Sequence, residues 1–252
     1  MVVSNQNKHG IYFISDIHFG LQSEDEERLK LDRLERLFAL IKQDGRSLFM
    51  LGDILDYWME FRHVIPKGFS RLICLLSDLV RSDVEVFYVA GNHDFYLGSF
   101  FERELGIQTR YGMNNFEYAG RKFLYAHGDG LGDGDLGYKF FARFVRNRFN
   151  LALLTAFHSD LAISLMKRLS YLSRHHKPVD IPKESNRLLN FAESIAAERE
   201  FDYFVCGHNH AKGEHLLANG KSRYINLGTW IDGRYPYGVF MHGEFHLKEL
   251  QR

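Results

Sequence analysis

The chain has 252 residues with 32 basic and 32 acidic side chains, so its formal charge is zero and no net cationic field favours nucleic acid. It is 45% hydrophobic, with 22 Phe and 13 Tyr, enough to bury a sizeable core in one large domain or two. No apolar run approaches the length that crosses a bilayer, and residues 1–10 are too polar for a secretory leader. The two cysteines, Cys74 and Cys206, lie far apart in apolar surroundings; they are expected as buried, reduced thiols in a cytoplasmic protein.

From residue 11 the pattern alternates between short apolar runs and helical stripes. Residues 11–15 read as a strand that leads into Asp16-Ile17-His18. Residues 26–42 carry Leu29, Leu31, Leu34, Leu37, Phe38 and Ile41 at helical spacing. A second strand, Leu48-Phe49-Met50-Leu51, stops at Gly52-Asp53. A second helix covers about 69–81, and a third strand, 86–90, runs into Gly91-Asn92-His93-Asp94. This β-α-β-α-β order predicts parallel strands with right-handed crossovers. Residues 115–126 then read as a hairpin that turns at Gly120 and ends at His127-Gly128-Asp129. Residues 138 to about 199 are helical in pattern, hold no metal-type motif and are interrupted by Pro178 and Pro182, which suggests a helical insertion capping the site. The last strand of this series, 203–206, leads into Gly207-His208-Asn209-His210. Two more hairpins follow. Residues 214–218 and 223–227 flank Asn219-Gly220, a type I′ turn signal, and residues 237–241 and 244–250 flank His242-Gly243. The expected fold is a single α/β domain, an αββα sandwich of two mixed sheets with helices outside and a helical cap.

Five apolar strands thus each end in Asp, His or Asn. In open α/β sheets ligands collect outside the carboxyl ends of strands, so five such ends imply one shared polar site. The residue types suit metal ions. Two divalent ions roughly 3.5–4 Å apart form a phosphoester hydrolase site, activating water and clamping the phosphoryl oxygens. A close pair needs a ligand that reaches both ions, and Asp53 is the candidate bridge. Oxygen ligands mixed with imidazole favour Mn²⁺, with Fe or Zn²⁺ as alternatives, and no thiolate set suggests structural zinc.

Taken together, Asp16-x-His18, Gly52-Asp53, Gly91-Asn92-His93-Asp94, His127-Gly128-Asp129 and Gly207-His208-x-His210 resemble, in order and spacing, the signature of the calcineurin-like metallophosphoesterases. The resemblance implies one ion on Asp16, His18, Asp53 and His210, a second on Asp53, Asn92, His127 and His208, and a bridging water or hydroxide as nucleophile. Within that superfamily, residues 13–20, the Gly52-Asp53 stretch reaching Trp58, residues 94–98 and 127–131, and Ile225-Asn226-Leu227-Gly228-x-Trp230 are similar to the UDP-2,3-diacylglucosamine diphosphatase family of lipid A biosynthesis. That likeness implies cleavage of a UDP-linked diacylglucosamine to UMP and 2,3-diacylglucosamine 1-phosphate. It also implies substrate contacts from Asn92, His93, Asp135 and Tyr138. His93 departs from the arginine usual there and follows the general superfamily pattern.

Several readings stay open on the residues alone. His93 is a candidate catalytic acid whose ring Asp94 would orient, or a hydrogen-bond donor behind the ligands. Gly128, Gly130, Gly132, Gly134 and Gly137 form either a phosphate cradle or a flexible lid entrance. Lys139, Arg143 and Arg146, interleaved with Phe141, Phe144 and Leu154, suit a membrane surface or an acylated substrate, or are ordinary solvated faces of packed helices. The first of these would place the protein peripherally on the inner membrane. Two functional alternatives remain. One is a phosphodiesterase or nucleotide-diphosphate hydrolase with a soluble substrate. The other is a non-catalytic scaffold, expected to have lost ligands that this chain keeps.

Overall fold

Residues 10–14, 203–206 and 236–241 bury side chains on both faces of their strands, so the sheets they belong to need a layer on either side. A computed structural model describes residues 8–94, 96–132, 158–176 and 181–251 and shows how those layers are supplied. The first sheet has six strands in the order β11-β10-β1-β2-β3-β4. They are β1 (Gly10–Ile14), β2 (Gly45–Leu51), β3 (Glu85–Val89), β4 (Gln108–Arg110), β10 (Pro236–Met241) and β11 (Glu244–Glu249). β1 to β4 run parallel, and β10 and β11 extend the sheet as an antiparallel pair. The second sheet has five strands, β5 (Asn114–Tyr118), β6 (Arg121–Tyr125), β7 (Tyr203–Cys206), β8 (Gly213–Leu216) and β9 (Arg223–Asn226), in the order β5-β6-β7-β9-β8.

The pleat divides the apolar residues into two sets. Phe13 pairs with Phe49, and Phe49 with Phe87, across the first sheet. Their rings face the second sheet and stack with those of Phe116 and Phe123; Phe49 and Phe116 lie 4.6 Å apart between centroids at 12°. Offset-stacked aromatics of this kind add to what area burial alone provides. With Val205, Ile225 and Phe240 they fill the space between the sheets. The alternate residues Leu48 and Met50 point outward, onto α1 (Glu24–Asp44) and α2 (Ser70–Val80). Leu34, Leu37, Phe38 and Ile41 of α1 and Leu72, Leu76 and Leu79 of α2 complete that layer. Ser23 opens α1 with a capping box closed by Glu26.

On the far side of the second sheet, α5 (Ile181–Glu198) lays Leu188, Ala192 and Ile195 on Leu124, Phe204 and Tyr224. This helix of the expected 138–199 insertion is therefore the fourth layer of the sandwich. The preceding helix, α4 (Ser159–His176), packs elsewhere: Ala162 meets Met59 and Phe61, while Leu161 and Leu165 stay exposed.

The structure adds one pair of elements and corrects two local readings of the sequence. A short α3 (Phe100–Leu105) and the three-residue β4 form a further crossover beyond β3; both are too short to show a period. The Asn219-Gly220 turn is not type I′, because among this pair only Gly220 has positive φ. Instead Leu217 N–H bonds to Ser222 O, and the Asn219 carboxamide oxygen accepts from the Lys221 and Ser222 N–H groups. The left-handed pairs sit at Ala119-Gly120 and His242-Gly243. Finally, Cys206 is buried but Cys74 is exposed, since α2 turns Leu72 and Leu76 inward and position 74 falls between them on the other side.

Candidate metal centre

β1, β2 and β3 end side by side, and so do β6 and β7 of the other sheet, so the residues after each strand meet at one edge of the sandwich. Hydrogen bonds lock the junction. Asp16 N–H bonds to Gly52 O, His18 N–H to Asp53 O and Gly207 N–H to His127 O. Thr229 Oγ and Trp230 N–H both donate to Asp16 O at 3.0 Å, which gives the 225–230 motif its structural purpose. The backbone is bent to aim the ligands. Asp16, His18, Asp53, His208 and His210 all have φ between 47° and 73°, a region non-glycine residues avoid unless their surroundings impose it.

Glycines make the approach possible. A Cβ on Gly91 would stand 2.2 Å from Asp53 Oδ1, one on Gly207 2.1 Å from Asp16 Oδ2, and one on Gly52 2.5 Å from His127 Nδ1. Each of these motif glycines is thus the floor beneath a functional side chain.

The seven residues expected as ligands come together as two overlapping groups. In the first, His210 Nε2 lies 3.2 Å from Asp16 Oδ1 and 3.3 Å from His18 Nε2, which is 3.7 Å from Asp53 Oδ2. In the second, His127 Nε2 lies 3.3 Å from Asp53 Oδ2 and 3.1 Å from Asn92 Oδ1, which is 3.0 Å from His208 Nδ1. Donors about 2.1 Å from an ion at tetrahedral or octahedral angles stand roughly 3.0–3.4 Å apart. Asp53 Oδ2 faces a ring nitrogen of both groups, as a shared ligand must.

The chemistry of the donors also fits ions. Asp16 Oδ1 is buried and accepts no hydrogen bond. His127 Nδ1 is fixed 2.8 Å from Leu51 O, so Nδ1–H donates there and Nε2 is turned towards Asp53 Oδ2 and Asn92 Oδ1, where an ion would take the place of its proton. Burial resists charge on this ring, but the Asp53 carboxylate draws its pKa well above the ordinary imidazole value. Burial would likewise raise the Asp53 carboxyl, yet His127 and His93 hold it well below the usual range. His208 is pushed down to about 4 by burial and by the charge of His127, which keeps it in the neutral form that ligates metal. Asp16, Asp53 and His127, and separately Asp16, His18 and His210, each bring their donor atoms within 4.8 Å of one another.

The catalytic pair expected at 93–94 is arranged differently from the sequence reading. Asp94 does not orient the His93 ring. Its carboxylate accepts from Gly91 N–H at 2.6 Å, Tyr88 Oη–H at 2.5 Å, Ile54 N–H at 2.9 Å and Asp53 N–H at 3.2 Å, so it braces the loops that carry Asp53 and Asn92. Burial and the neighbouring Asp53 push its pKa up to about 6. The residue beside the His93 ring is Asp56, whose carbonyl lies 3.1 Å and carboxylate 3.8 Å from Nδ1. The same carboxylate stands 3.5 Å from His18 Nδ1, leaving His18 Nε2 for an ion. Asp56, Tyr88 and the buried Lys30 were missed in the sequence. A second carboxylate three residues after Asp53 was a usable signal for Asp56; nothing marked the other two. Asp135 and Tyr138, expected to touch substrate, and the cap residues Phe141, Phe144 and Leu154 lie outside the described residues.

The model of the calcineurin-like phosphoesterases matches residues 9–212, and the chain belongs to that family. It is a metal-dependent phosphoester hydrolase. Among curated relatives, the UDP-2,3-diacylglucosamine hydrolase of Porphyromonas gingivalis is 30% identical over 237 residues, 88% of this chain and 90% of that one. The enzyme of the same name from Neisseria meningitidis serogroup A is 32% identical over 226 residues, 87% and 89% of the two chains. A solved structure described as a novel archaeal phosphodiesterase aligns with 96% of this chain and 99% of its own, at 12% identity and a TM-score of 0.49.

Proposed function

We propose that this protein hydrolyses the diphosphate of a UDP-2,3-diacylglucosamine, giving UMP and 2,3-diacylglucosamine 1-phosphate. The observation that carries the chemistry is the double cluster of donors sharing Asp53 Oδ2; the acylated nucleotide comes from relatives similar along nearly their whole length. Asp16, His18, Asp53 and His210 would hold one divalent ion and Asp53, Asn92, His127 and His208 the other, with Mn²⁺ the expected metal. When bound, the ions activate water and neutralise charge on the phosphoryl oxygens.

The chain's own groups do the rest. A water oxygen bonds to phosphorus while the bridging P–O bond breaks, and the departing phosphate oxygen takes a proton. His93 supplies it: Asp56 holds Nδ1, so Nε2 is the nitrogen able to reach the leaving oxygen. His93 N–H donates to Asp53 Oδ1 at 2.9 Å, tying the acid to the shared ligand. Asp135 and Tyr138 would contact the sugar phosphate. Exposed Leu161 and Leu165 on α4 and Val64 and Ile65 on the 61–69 loop support contact with acyl chains or a bilayer surface. No helix among the described residues is long and apolar enough to cross a membrane.

The test is UMP release from UDP-2,3-diacylglucosamine compared with its deacylated analogue and with soluble nucleotide diphosphates. A higher kcat/KM for the acylated substrate is expected. Preference for a soluble one would remove the lipid assignment and leave the phosphoester hydrolase.

A further inference from the structure

Lys30 is an anomaly in the outer layer of the first sheet. It sits in α1 beside Leu31 and Leu34, and only 1% of its side chain is exposed. A buried ammonium costs stability unless it is paired and hydrogen-bonded, and a well-packed hydrophobe in its place is often no less stable. The partners of Lys30 are specific. Nζ donates to the His18 carbonyl at 3.2 Å and pairs with Glu27 Oε1 at 3.1 Å. The same Glu27 oxygen accepts the Gln22 N–H at 2.9 Å.

The pair therefore grips both ends of one loop, the carbonyl of residue 18 and the amide of residue 22. Inside it the chain turns through Leu21 N–H to His18 O at 3.2 Å and passes Gly20 at φ 97°. His18 itself is held at φ 47°. A strained backbone at that residue stays in place only if its surroundings over-determine it. The Asp53 carbonyl fixes His18 from the amide side at 2.9 Å; Lys30 fixes it from the carbonyl side. Among the described residues nothing comparable joins Lys30 to Asn92, His127 or His208, which lie in the loops after β3, β6 and β7.

We infer that Lys30 and Glu27 are positioning residues for one half of the metal centre: they set the backbone of His18 so that its imidazole meets Asp16, Asp53 and His210. The inference rests on the two-ion reading proposed above, and its consequence is asymmetric. Disturbing the pair loosens the ion on His18 and leaves the ion on Asn92, His127 and His208 nearly untouched.

The experiment is calorimetric titration of metal-stripped protein with Mn²⁺, for wild type, Lys30→Met and Glu27→Gln. His18→Ala and His208→Ala serve as references that identify which binding event belongs to which half. Lys30→Met keeps an unbranched side chain, one atom shorter, and removes the charge. It should weaken the His18-linked event by roughly 10–100-fold, the usual cost of losing a group that supports a ligand, and leave the other within about three-fold. Glu27→Gln should weaken the same event by a smaller factor, and it decides the question if Lys30→Met does not fold. Equal weakening of both events, or unchanged binding with only a lower Tm, overturns the positioning role. Wild-type protein that takes up a single ion defeats the two-ion reading instead, so the two failures are distinguishable.

Discussion

Gly91→Ala tests whether the metal centre depends on the glycines that floor it. The φ of Gly91 lies outside the left-handed range, so alanine fits the backbone and the perturbation is purely steric. The new Cβ would lie 2.2 Å from Asp53 Oδ1 and 2.6 Å from Asp53 N, whereas real Cβ contacts stay beyond 3.0 Å. The Asp53 carboxylate must therefore retreat by at least 0.8 Å, the gap between those two distances. It cannot simply rotate, because Oδ1 also accepts the His93 N–H. Overpacking of this kind costs roughly 1–3 kcal/mol. For a domain of this size that corresponds to a Tm lower by about 2–12 °C. The larger effect is on chemistry: a misplacement near 1 Å costs about 10²-fold in rate, and as the proposed shared ligand Asp53 would carry both ions with it. Metal analysis should show both sites weakened and kcat should fall by about that factor. Gly207→Ala pushes on Asp16 instead and should weaken mainly the His18-side ion. Gly213→Ala is the control, its Cβ meeting His215 Nε2 at 3.6 Å and Ala211 O at 3.9 Å, both ordinary contacts. A Gly91→Ala protein with wild-type metal content and turnover would falsify the close-approach argument.

Other outcomes follow from the same geometry. Asp53→Ala removes the shared oxygen and should lose both ions; retention of an intact pair on metal analysis excludes bridging. His93→Ala should keep its ions and lower kcat on the unactivated diphosphate by roughly 10²-fold, with little effect on an activated aryl phosphodiester whose leaving group needs no proton. Asp56→Asn should show the same dependence on leaving group, and equal losses on both substrates would remove Asp56 from proton transfer. Burial pushes the Cys206 thiol up to about 12, so at pH 8 its thiolate fraction is on the order of one in ten thousand. A thiol reagent should therefore label Cys74 alone in the native protein and both cysteines in denaturant, and rapid native labelling of two thiols would contradict the buried β7 environment. Stripping the ions should lower Tm, since each ion at about 100 times its Kd contributes roughly 2.7 kcal/mol.

The seven donors were legible because each sits one to four residues beyond an apolar run, a spacing that survives without knowledge of pairing. Their clustering required only that the strands be parallel, which the alternation with helices supplied. The identity of the residue that orients His93 was not legible. Asp94 is its chain neighbour, but the turn after β3 sends that carboxylate under the loops, and Asp56 reaches the ring from the loop after β2. Chain adjacency misled where the backbone reverses. Lys30 was hidden for a related reason: a single lysine on an otherwise amphipathic helix looks solvated unless its partner loop is known. α5 shows the opposite limit. Residues 138–199 read as helical, but the period of a helix does not say which surface will cover it, and here Leu188, Ala192 and Ile195 pack on the second sheet.

The division of ligands between the sheets gives the architecture its meaning. Asp16, His18, Asp53 and Asn92 follow strands of the first sheet, and His127, His208 and His210 follow strands of the second. Each ion of the proposed pair would thus be held by donors from both, and neither sheet brings a full set of these donors alone. What sets the distance between the two sets is the aromatic stack beneath them, where Phe49 and Phe116 meet across the interface at 4.6 Å. Interiors packed this closely transmit displacements instead of absorbing them, so the ligand spacing is fixed by rings whose positions the rest of the core determines. The left-handed residues are stable for the same reason. Asp16 and His208 can keep unfavourable φ because hydrogen bonds between loops of the two sheets, His208 N–H to Asp16 Oδ2 at 2.9 Å among them, close the edge from above while the aromatic core closes it from below. The candidate metal centre is therefore a property of the sandwich as a whole: the strands place the donors, the glycines admit them, and the packing between the sheets fixes the gap between the donor sets.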